Sequence, residues 1–258
     1  MTSSMSTPNP RLPIPKRPRV PLGVESWTLG VVVAALVTAA PPLAAAGRPV
    51  AIRAADGRTT TGLMFDARTR PAPAVVLVPM LGRPKEDWQM VAQQLADANL
   101  SALAIDLPDT TLPADPTELL RWHEPIGAAV AYLAGRPADV RPGAVGVAGA
   151  SLGANLAVLA AAADTAIRAI ALVSPSLDYR GVRIELPFAQ YGPRPALLMA
   201  SVHDAFATRS IRTLAQDASS AREVRWSNVP AHGTILLARD AELVRALVEW
   251  FQRTLSVN

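Results

Sequence analysis

The stretch Gly149-Ala150-Ser151-Leu152-Gly153 decides the fold, because it joins two segments of different character. An apolar run, Ala144 to Ala148, precedes it, and an alanine-rich run, Ala154 to Ala163, follows it. This order predicts a strand, a sharp turn and a helix, with a serine at the turn. Glycine at both second neighbours of Ser151 fits such a reversal, since a Cβ atom would clash where the two backbones meet. An ordinary helix start capped by serine would use the same letters.

The later part of the chain separates these two interpretations. The apolar run Ala196 to Ala200 leads into Ser201-Val202-His203-Asp204, and the polar run Arg222 to Trp226 leads into Pro230-Ala231-His232-Gly233. A serine, then an acid, then a histidine, each placed after a predicted strand, is the chain order of one type of Ser-Asp-His triad. The order therefore favours a catalytic turn over a simple helix cap.

The predicted roles follow from the chemistry of a serine nucleophile. Its hydroxyl is weak near neutral pH, so it needs a neutral imidazole to take the proton and a carboxylate to hold that imidazole. We predict Ser151 as the nucleophile, Asp204 as the acid and His232 as the base. Two other acids compete for the role of Asp204. Asp106 ends the fourth predicted strand and is expected to brace a loop, whereas Asp178 is the reserve candidate for the acid.

A tetrahedral intermediate also needs two backbone N–H donors aimed at its oxyanion. One should come from Leu152, directly after the nucleophile, and the other from the loop after the third strand. That loop begins Pro79-Met80-Leu81-Gly82, and proline has no N–H. The second donor is therefore Leu81 or Met80, and by position we prefer Leu81.

Short apolar runs alternate with stretches of helical period from Val50 onward, which is typical of a largely parallel sheet covered on both faces. The turn Asp56-Gly57 predicts an antiparallel hairpin at one edge. A helix is predicted to begin at the N-cap Asp115, and Pro125 should kink or split it. The eight predicted strands are Val50 to Arg53, Gly62 to Phe65, Ala74 to Val78, Ala102 to Ile105, Ala144 to Ala148, Ala169 to Val173, Ala196 to Ala200 and Arg222 to Trp226.

The first 46 residues differ from the rest of the chain. A basic, proline-rich segment precedes the apolar run Trp27 to Ala40, and the small residues Leu43 to Ala46 follow it, as in a secretory signal peptide. A membrane anchor is the rival, but spanning takes about 20 apolar residues and two prolines interrupt this run. We predict cleavage after Ala46, export to the periplasm or medium, and one catalytic domain over residues 47–258. Membrane contact would then be transient.

Composition excludes several classes of partner and cofactor. Half of the 258 residues are hydrophobic, which suits one large core. The predicted leader holds four of the 25 basic residues and one of the 21 acidic ones, so the remainder is nearly neutral and nucleic-acid binding is not expected. There is no cysteine, and the three histidines are too dispersed for a zinc site. His123 and His203 are expected to be surface or core residues. We predict no metal and no cofactor.

The Ser151 turn and the Pro230-Ala231-His232-Gly233 segment resemble the α/β-hydrolase superfamily, above all its dienelactone hydrolase-like branch and related secreted esterases. The resemblance covers nearly all of Val50 to Ser256 in the order of elements. It implies an eight-stranded α/β-hydrolase fold and a serine carboxylesterase that acts on small-molecule esters. Two positions depart from the pattern. Ser151 stands where true dienelactone hydrolases have cysteine, and Pro79-Met80 replaces the usual His-Gly of the oxyanion loop.

Other functions remain open on the same scaffold, because a fold does not fix the reaction. They are a peptidase, an acyltransferase, and an inactive binding or envelope module. The segment Ser174 to Arg194, where this superfamily usually inserts its lid, is too short for a cap domain, which predicts an open site. Its apolar residues Leu186, Phe188 and Tyr191 either shield an apolar pocket or pack onto the body.

Overall fold

The computed structural model of the protein describes residues 47–54, 57–216 and 221–256. The predicted signal peptide, residues 1–46, lies outside the described residues, as does Asp56 of the predicted hairpin turn. Within the described part, no helix has both the length and the apolar character needed to cross a membrane.

Eight strands of the described chain form one sheet, in the spatial order β1-β2-β4-β3-β5-β6-β9-β10. Strand β2 pairs antiparallel with β1 and β4, and the other pairs are parallel. The mostly parallel eight-stranded sheet and its antiparallel edge hairpin are thereby confirmed. The strands are β1 Arg48–Arg53, β2 Thr59–Phe65, β3 Ala72–Val78, β4 Ser101–Ile105, β5 Val140–Ala150, β6 Ile167–Val173, β9 Ala196–Ser201 and β10 Arg222–Ser227, with a separate hairpin of β7 Asp178–Tyr179 and β8 Val182–Arg183.

Helices cover both faces of this sheet. Short 3₁₀ turns, Lys85–Trp88 and Arg121–His123, precede the first and third helices. The helices are α1 Gln89–Asp97, α2 Pro116–Leu120, α3 Glu124–Ala134, α4 Leu152–Ala163, α5 Glu185–Tyr191, α6 Ala205–Leu214, α7 Gly233–Arg239 and α8 Ala241–Ser256.

The central strand β3 is apolar at every position because both of its faces are buried. In β3, Val76 and Val78 belong to one core layer, and Val75 and Leu77 belong to the other. The first layer packs against α3, α4, α5 and α6, and the second packs against α1, α7 and α8. Two layers of this size give the sheet a rigid edge on which loops can hold functional side chains.

The segment around Asp115 follows the sequence prediction. The Asp115 side chain accepts a hydrogen bond from the Thr117 N–H at 2.8 Å and caps α2. Pro125 splits the helical stretch as predicted, because it lies in the first turn of a new helix, α3, where no N–H is required. The two helices are joined by the 3₁₀ turn.

The segment between β6 and β9 is the β7–β8 hairpin followed by α5, without a cap domain. Phe188 and Tyr191 are 3% and 1% exposed, and both side chains belong to the core or its edge. Of the two predicted roles for these residues, packing onto the body is the one observed. Leu186 differs from them, since its side chain is 69% exposed.

Candidate active site

Ser151 occupies the turn between β5 and α4, as the sequence predicts. Its backbone lies at φ 53° and ψ −119°, a conformation that costs energy for a residue with a side chain. The Ser151 N–H donates to the Val173 carbonyl at 2.9 Å, so the turn is tied to the end of β6. This bond and the buried start of α4 hold the backbone in the strained conformation. The turn thereby places Ser151 at the carboxyl edge of the sheet.

The two flanking glycines are required by close backbone contacts. A Cβ atom on Gly149 would lie 2.1 Å from the Gly153 carbonyl oxygen, and one on Gly153 would lie 2.4 Å from the Pro79 carbonyl oxygen. Backbone atoms of packed elements cannot move away as a flexible side chain can. The expected clash is therefore confirmed on both sides of Ser151.

Asp204 lies directly after β9 and its carboxylate makes two contacts. One oxygen, Oδ1, accepts from the Ala207 N–H at 3.1 Å and caps α6. The other, Oδ2, lies 2.6 Å from Nδ1 of His232. The Asp204 side chain is 12% exposed and the His232 side chain is 44% exposed. The acid is thus shielded and fixed at both oxygens, while part of the imidazole faces solvent.

This contact sets the chemistry of the imidazole. A carboxylate is an acceptor, so Nδ1 of His232 carries the proton that it donates to Asp204. In the neutral ring, Nε2 is then left as an acceptor, which is the form needed to remove a proton from an alcohol.

His232 lies next to the serine turn through its neighbour in the chain. Gly233 has φ 57°, and a Cβ atom placed on it would be 3.7 Å from the Cβ atom of Ala150 and 2.7 Å from Sδ of Met80. No hydrogen bond joins the Ser151 hydroxyl to His232 among the described residues. In free enzymes the bond between nucleophile and base is often long, and it tightens when substrate binds.

The loop after β3 lies against the start of α4. Leu152 is the first residue of α4, so its N–H has no acceptor within the helix. The Arg83 N–H donates to the Met80 carbonyl at 3.2 Å, which closes a turn over Leu81 and Gly82, with φ 70° at the glycine. The contact between Pro79 and Gly153 brings this turn beside the Leu152 N–H. The two predicted donor segments therefore meet, and Leu81 and Met80 both remain available as the second donor.

Asp106 braces this loop, as predicted. Its carboxylate accepts from the Lys85 ammonium at 2.7 Å, the Lys85 N–H at 3.3 Å and the Thr61 hydroxyl at 2.7 Å. Partial burial alone would raise the pKa of Asp106, but the hydrogen bonds from Lys85 and Thr61 outweigh it and hold the pKa below its usual value. Asp106 and Lys85 fix the far end of the loop after β3 to β2 and β4.

A second link ties the same loop to the histidine segment, and sequence reasoning missed it. Asp87 accepts from Nε of Arg83 at 2.6 Å and from the Thr234 hydroxyl at 3.1 Å. Hydrogen bonding to Asp87 raises the pKa of the Arg83 guanidinium. Thr234 follows His232 by two residues, so this bond connects the segment after β3 to α7. A charged residue beside a predicted loop is a weak signal, and nothing in the sequence pairs Asp87 with Thr234.

The reserve and excluded candidates lie in other contacts. Asp178 bonds the Gly181 N–H at 2.7 Å and Arg183 at 2.9 Å within the β7–β8 hairpin, and it makes no contact with His232. His123 Nδ1 lies 2.6 Å from the Leu120 carbonyl oxygen, and His203 is exposed. Across residues 47–54, 57–216 and 221–256, no group of three or more histidine, aspartate or glutamate residues is arranged to hold a metal ion.

Solved structures resemble the fold of this protein, although the sequence comparisons found no match. No protein-family model matches the chain, and no curated protein matches it. An esterase of Pyrococcus furiosus is similar in structure, with a TM-score of 0.68, 14% identity, and 81% of this chain and 91% of that chain covered. A dienelactone hydrolase of Anabaena variabilis has a TM-score of 0.61, 18% identity, and 81% and 95% coverage. A thermophilic carboxylesterase from a metagenomic library has a TM-score of 0.62, 19% identity, and 83% and 89% coverage.

These likenesses, together with the sheet order and the serine turn, define the class. The protein has the α/β-hydrolase fold. Its similarity lies with esterases and a dienelactone hydrolase, as the sequence resemblance implied.

Proposed function

We propose that the protein is a serine hydrolase that cleaves carboxylic esters through an acyl-enzyme on Ser151. The single observation that carries this proposal is the 2.6 Å contact between Asp204 and His232, beside a strained serine turn. A shielded carboxylate that fixes the imidazole tautomer near a half-buried alcohol has a direct chemical use in acyl transfer. The esterases among the similar structures support the same reading.

The reaction uses this chain's residues in two half-reactions. Nε2 of His232 takes the Ser151 proton while Oγ attacks the ester carbonyl carbon, and Asp204 stabilises the imidazolium that forms. The oxyanion accepts hydrogen bonds from Leu152 N–H and from Leu81 or Met80 N–H. The carbonyl re-forms as the C–O bond to the alcohol breaks, and His232 gives that alcohol its proton. Water then attacks the acyl group in the same way, which releases the carboxylic acid and restores the Ser151 hydroxyl.

The surroundings favour a small-molecule substrate with an apolar acyl group. Leu81, Leu107 and Leu112 are partly buried and pack against the core layer that contains Leu152. The loop after β4 reaches the oxyanion turn, since a Cβ atom on Gly82 would lie 3.6 Å from the Thr110 carbonyl oxygen. Apolar side chains at this edge of the core suit an acyl chain better than a charged peptide. No metal or cofactor takes part in this scheme.

The decisive experiment treats the full-length protein with a fluorophosphonate probe and measures hydrolysis of p-nitrophenyl butyrate. We expect labelling and turnover in the wild type, and loss of both by several powers of ten in Ser151→Ala and His232→Ala. His203→Gln is the matched control, because this exposed histidine lies outside the proposed triad and its variant should behave like the wild type. Labelling that survives Ser151→Ala would overturn the proposal.

Product analysis separates the remaining possibilities on this scaffold. Amide substrates cleaved faster than esters would indicate a peptidase, and ester products formed from added alcohols in preference to hydrolysis would indicate an acyltransferase. A folded protein that neither labels nor turns over would be a binding or envelope module. The contact of Asp204 with His232 argues against such a module, since a binding role does not require it.

We also propose that residues 1–46 direct export and are removed. The basic segment, the apolar run and the small residues up to Ala46 support this proposal. N-terminal sequencing of the exported protein should begin at Gly47. A full-length N-terminus in the membrane fraction would instead establish a retained anchor.

A further inference from the structure

Ser174 stands at the end of β6, next to the residue that holds the nucleophile turn. Its side chain is 1% exposed, and its backbone is in the left-handed region at φ 52°. The preceding residue, Val173, accepts the Ser151 N–H, and the Ser174 N–H donates to the Met199 carbonyl at 2.7 Å. A non-glycine residue keeps this strained conformation only when its surroundings hold it there. The strain at Ser174 is therefore sustained by strands β5, β6 and β9 together.

The Ser174 hydroxyl reaches the segment that carries the imidazole. Its Oγ accepts from the Gly233 N–H at 3.0 Å, and both partners are buried. Gly233 is the first residue of α7, and the helix start leaves its N–H without an acceptor inside the helix. A buried N–H that water cannot reach needs another acceptor. Ser174 supplies it from a strand 59 residues away in the chain.

The side chain at the N-cap of α7 does not supply the acceptor for the Gly233 N–H, because an N-cap side chain reaches the second or third N–H of a helix and not the first. His232 occupies the N-cap position of α7 and makes no side-chain hydrogen bond to the helix. Its ring is instead bound to Asp204 at 2.6 Å. The Ser174 bond therefore fixes the backbone directly after His232, while Asp204 fixes the imidazole ring.

We propose that Ser174 is a positioning residue for the base: its buried hydroxyl caps Gly233 so that His232 stays aligned between Asp204 and Ser151. The inference rests on the proposed function, because alignment matters only if His232 removes the Ser151 proton. Ser174 does not touch the substrate in this scheme. Its loss should lower the rate of proton transfer and leave substrate binding almost unchanged.

The test compares Ser174→Ala and Ser174→Gly with Ser176→Ala in the full-length protein. Both Ser174 variants remove the acceptor, and glycine also relieves the left-handed strain, so it keeps the protein folded if alanine does not. Ser176 is two residues away, and its buried Oγ has no hydrogen-bond partner in the described structure. Its removal should leave kcat, KM and Tm unchanged. The readouts are kcat and KM for p-nitrophenyl butyrate, the fluorophosphonate labelling rate and Tm.

We expect kcat and the labelling rate to fall about tenfold in both Ser174 variants, with KM within about twofold of the wild type. A lost neutral hydrogen bond is worth about this factor, and a shifted imidazole can add to it. Wild-type kcat in Ser174→Gly, or a fall in Tm with kcat unchanged, overturns the inference. These results leave Ser151-dependent labelling intact, so the proposed function survives them. Absence of such labelling in the wild type overturns the proposed function, and the inference with it.

Discussion

Asp204 makes two contacts with one carboxylate, and substitutions can separate them. Oδ1 caps α6 through the Ala207 N–H, and Oδ2 holds Nδ1 of His232. Asparagine has one acceptor oxygen and one NH₂ donor, so it cannot accept hydrogen bonds from both partners. If its oxygen keeps the cap, its NH₂ faces Nδ1 and forces the imidazole into the other tautomer, with the proton on Nε2. That ring can no longer accept the Ser151 proton.

The two contacts of Asp204 differ in how much free energy each contributes. We expect Asp204→Asn to lower kcat/KM by about 10³- to 10⁴-fold, which corresponds to about 4–5.5 kcal/mol of transition-state stabilisation. The cap is worth only about 1 kcal/mol, which in a domain of this size shifts Tm by about 2–4 °C. Asp204→Ala, which lacks both contacts, should lose activity to a similar degree and also lose the stability of the cap.

Two matched variants identify the cause of each effect. Asp115→Ala removes a cap of the same kind from α2, so it should lower Tm without changing kcat/KM. Asp178→Asn alters the reserve candidate for the acid, which bonds Arg183 instead of the histidine, and should leave kcat/KM unchanged. The assay is p-nitrophenyl butyrate hydrolysis with thermal unfolding on the same samples. Asp204→Asn with more than a tenth of the wild-type kcat/KM would refute the reasoning, and a large loss in Asp178→Asn would reassign the acid.

Three further substitutions test the backbone contact at the serine turn, the stability of α3 and the pairing of Asp106 with Lys85. Gly153→Ala places a Cβ atom 2.4 Å from the Pro79 carbonyl oxygen, so it should abolish activity and lower Tm by several degrees, and a wild-type Tm would contradict the contact. Gly127→Ala meets nothing within 4 Å in α3 and should stabilise the protein by about 0.5–1 kcal/mol in urea unfolding. The pKa of Asp106 is lowered by Lys85, so its stabilising contribution is present above about pH 4 and is lost as the pH falls further. The difference in urea midpoint between wild type and Asp106→Asn should therefore be constant above about pH 5 and shrink as the pH falls below about 4, and a difference that stays constant would exclude this pairing.

The sheet could be predicted from the sequence because its signals are local. Each buried strand is a short apolar run between turn residues, and residues such as Val75 and Val76 are apolar in succession because both faces are covered. The serine turn was also predictable, since Gly149 and Gly153 are separated from Ser151 by one residue each. Both features depend on residues that are close together in the chain, so the sequence alone is enough to predict them.

The positions of Asp204 and His232 were predicted for a related reason. Both follow a predicted strand, and the carboxyl ends of parallel strands meet at one edge of a sheet. Their 2.6 Å contact joins residues 28 apart, and it could be expected because each type has a defined part in the chemistry. The choice between Leu81 and Met80 could not be made, because it depends on the direction of a backbone N–H within one turn.

Hydrogen bonds from a side chain to a residue far away in the chain have no such local signal. Ser174 and Gly233 are 59 residues apart, and Asp87 and Thr234 are 147 apart. The place of Ser174 after β6 predicts that it lies at the functional edge, but many serines would satisfy that condition. Its contact with Gly233 satisfies the first N–H of α7, which the side chain at the N-cap cannot reach. This contact depends on how the end of β6 packs against the start of α7, so it could be inferred only after the fold was known.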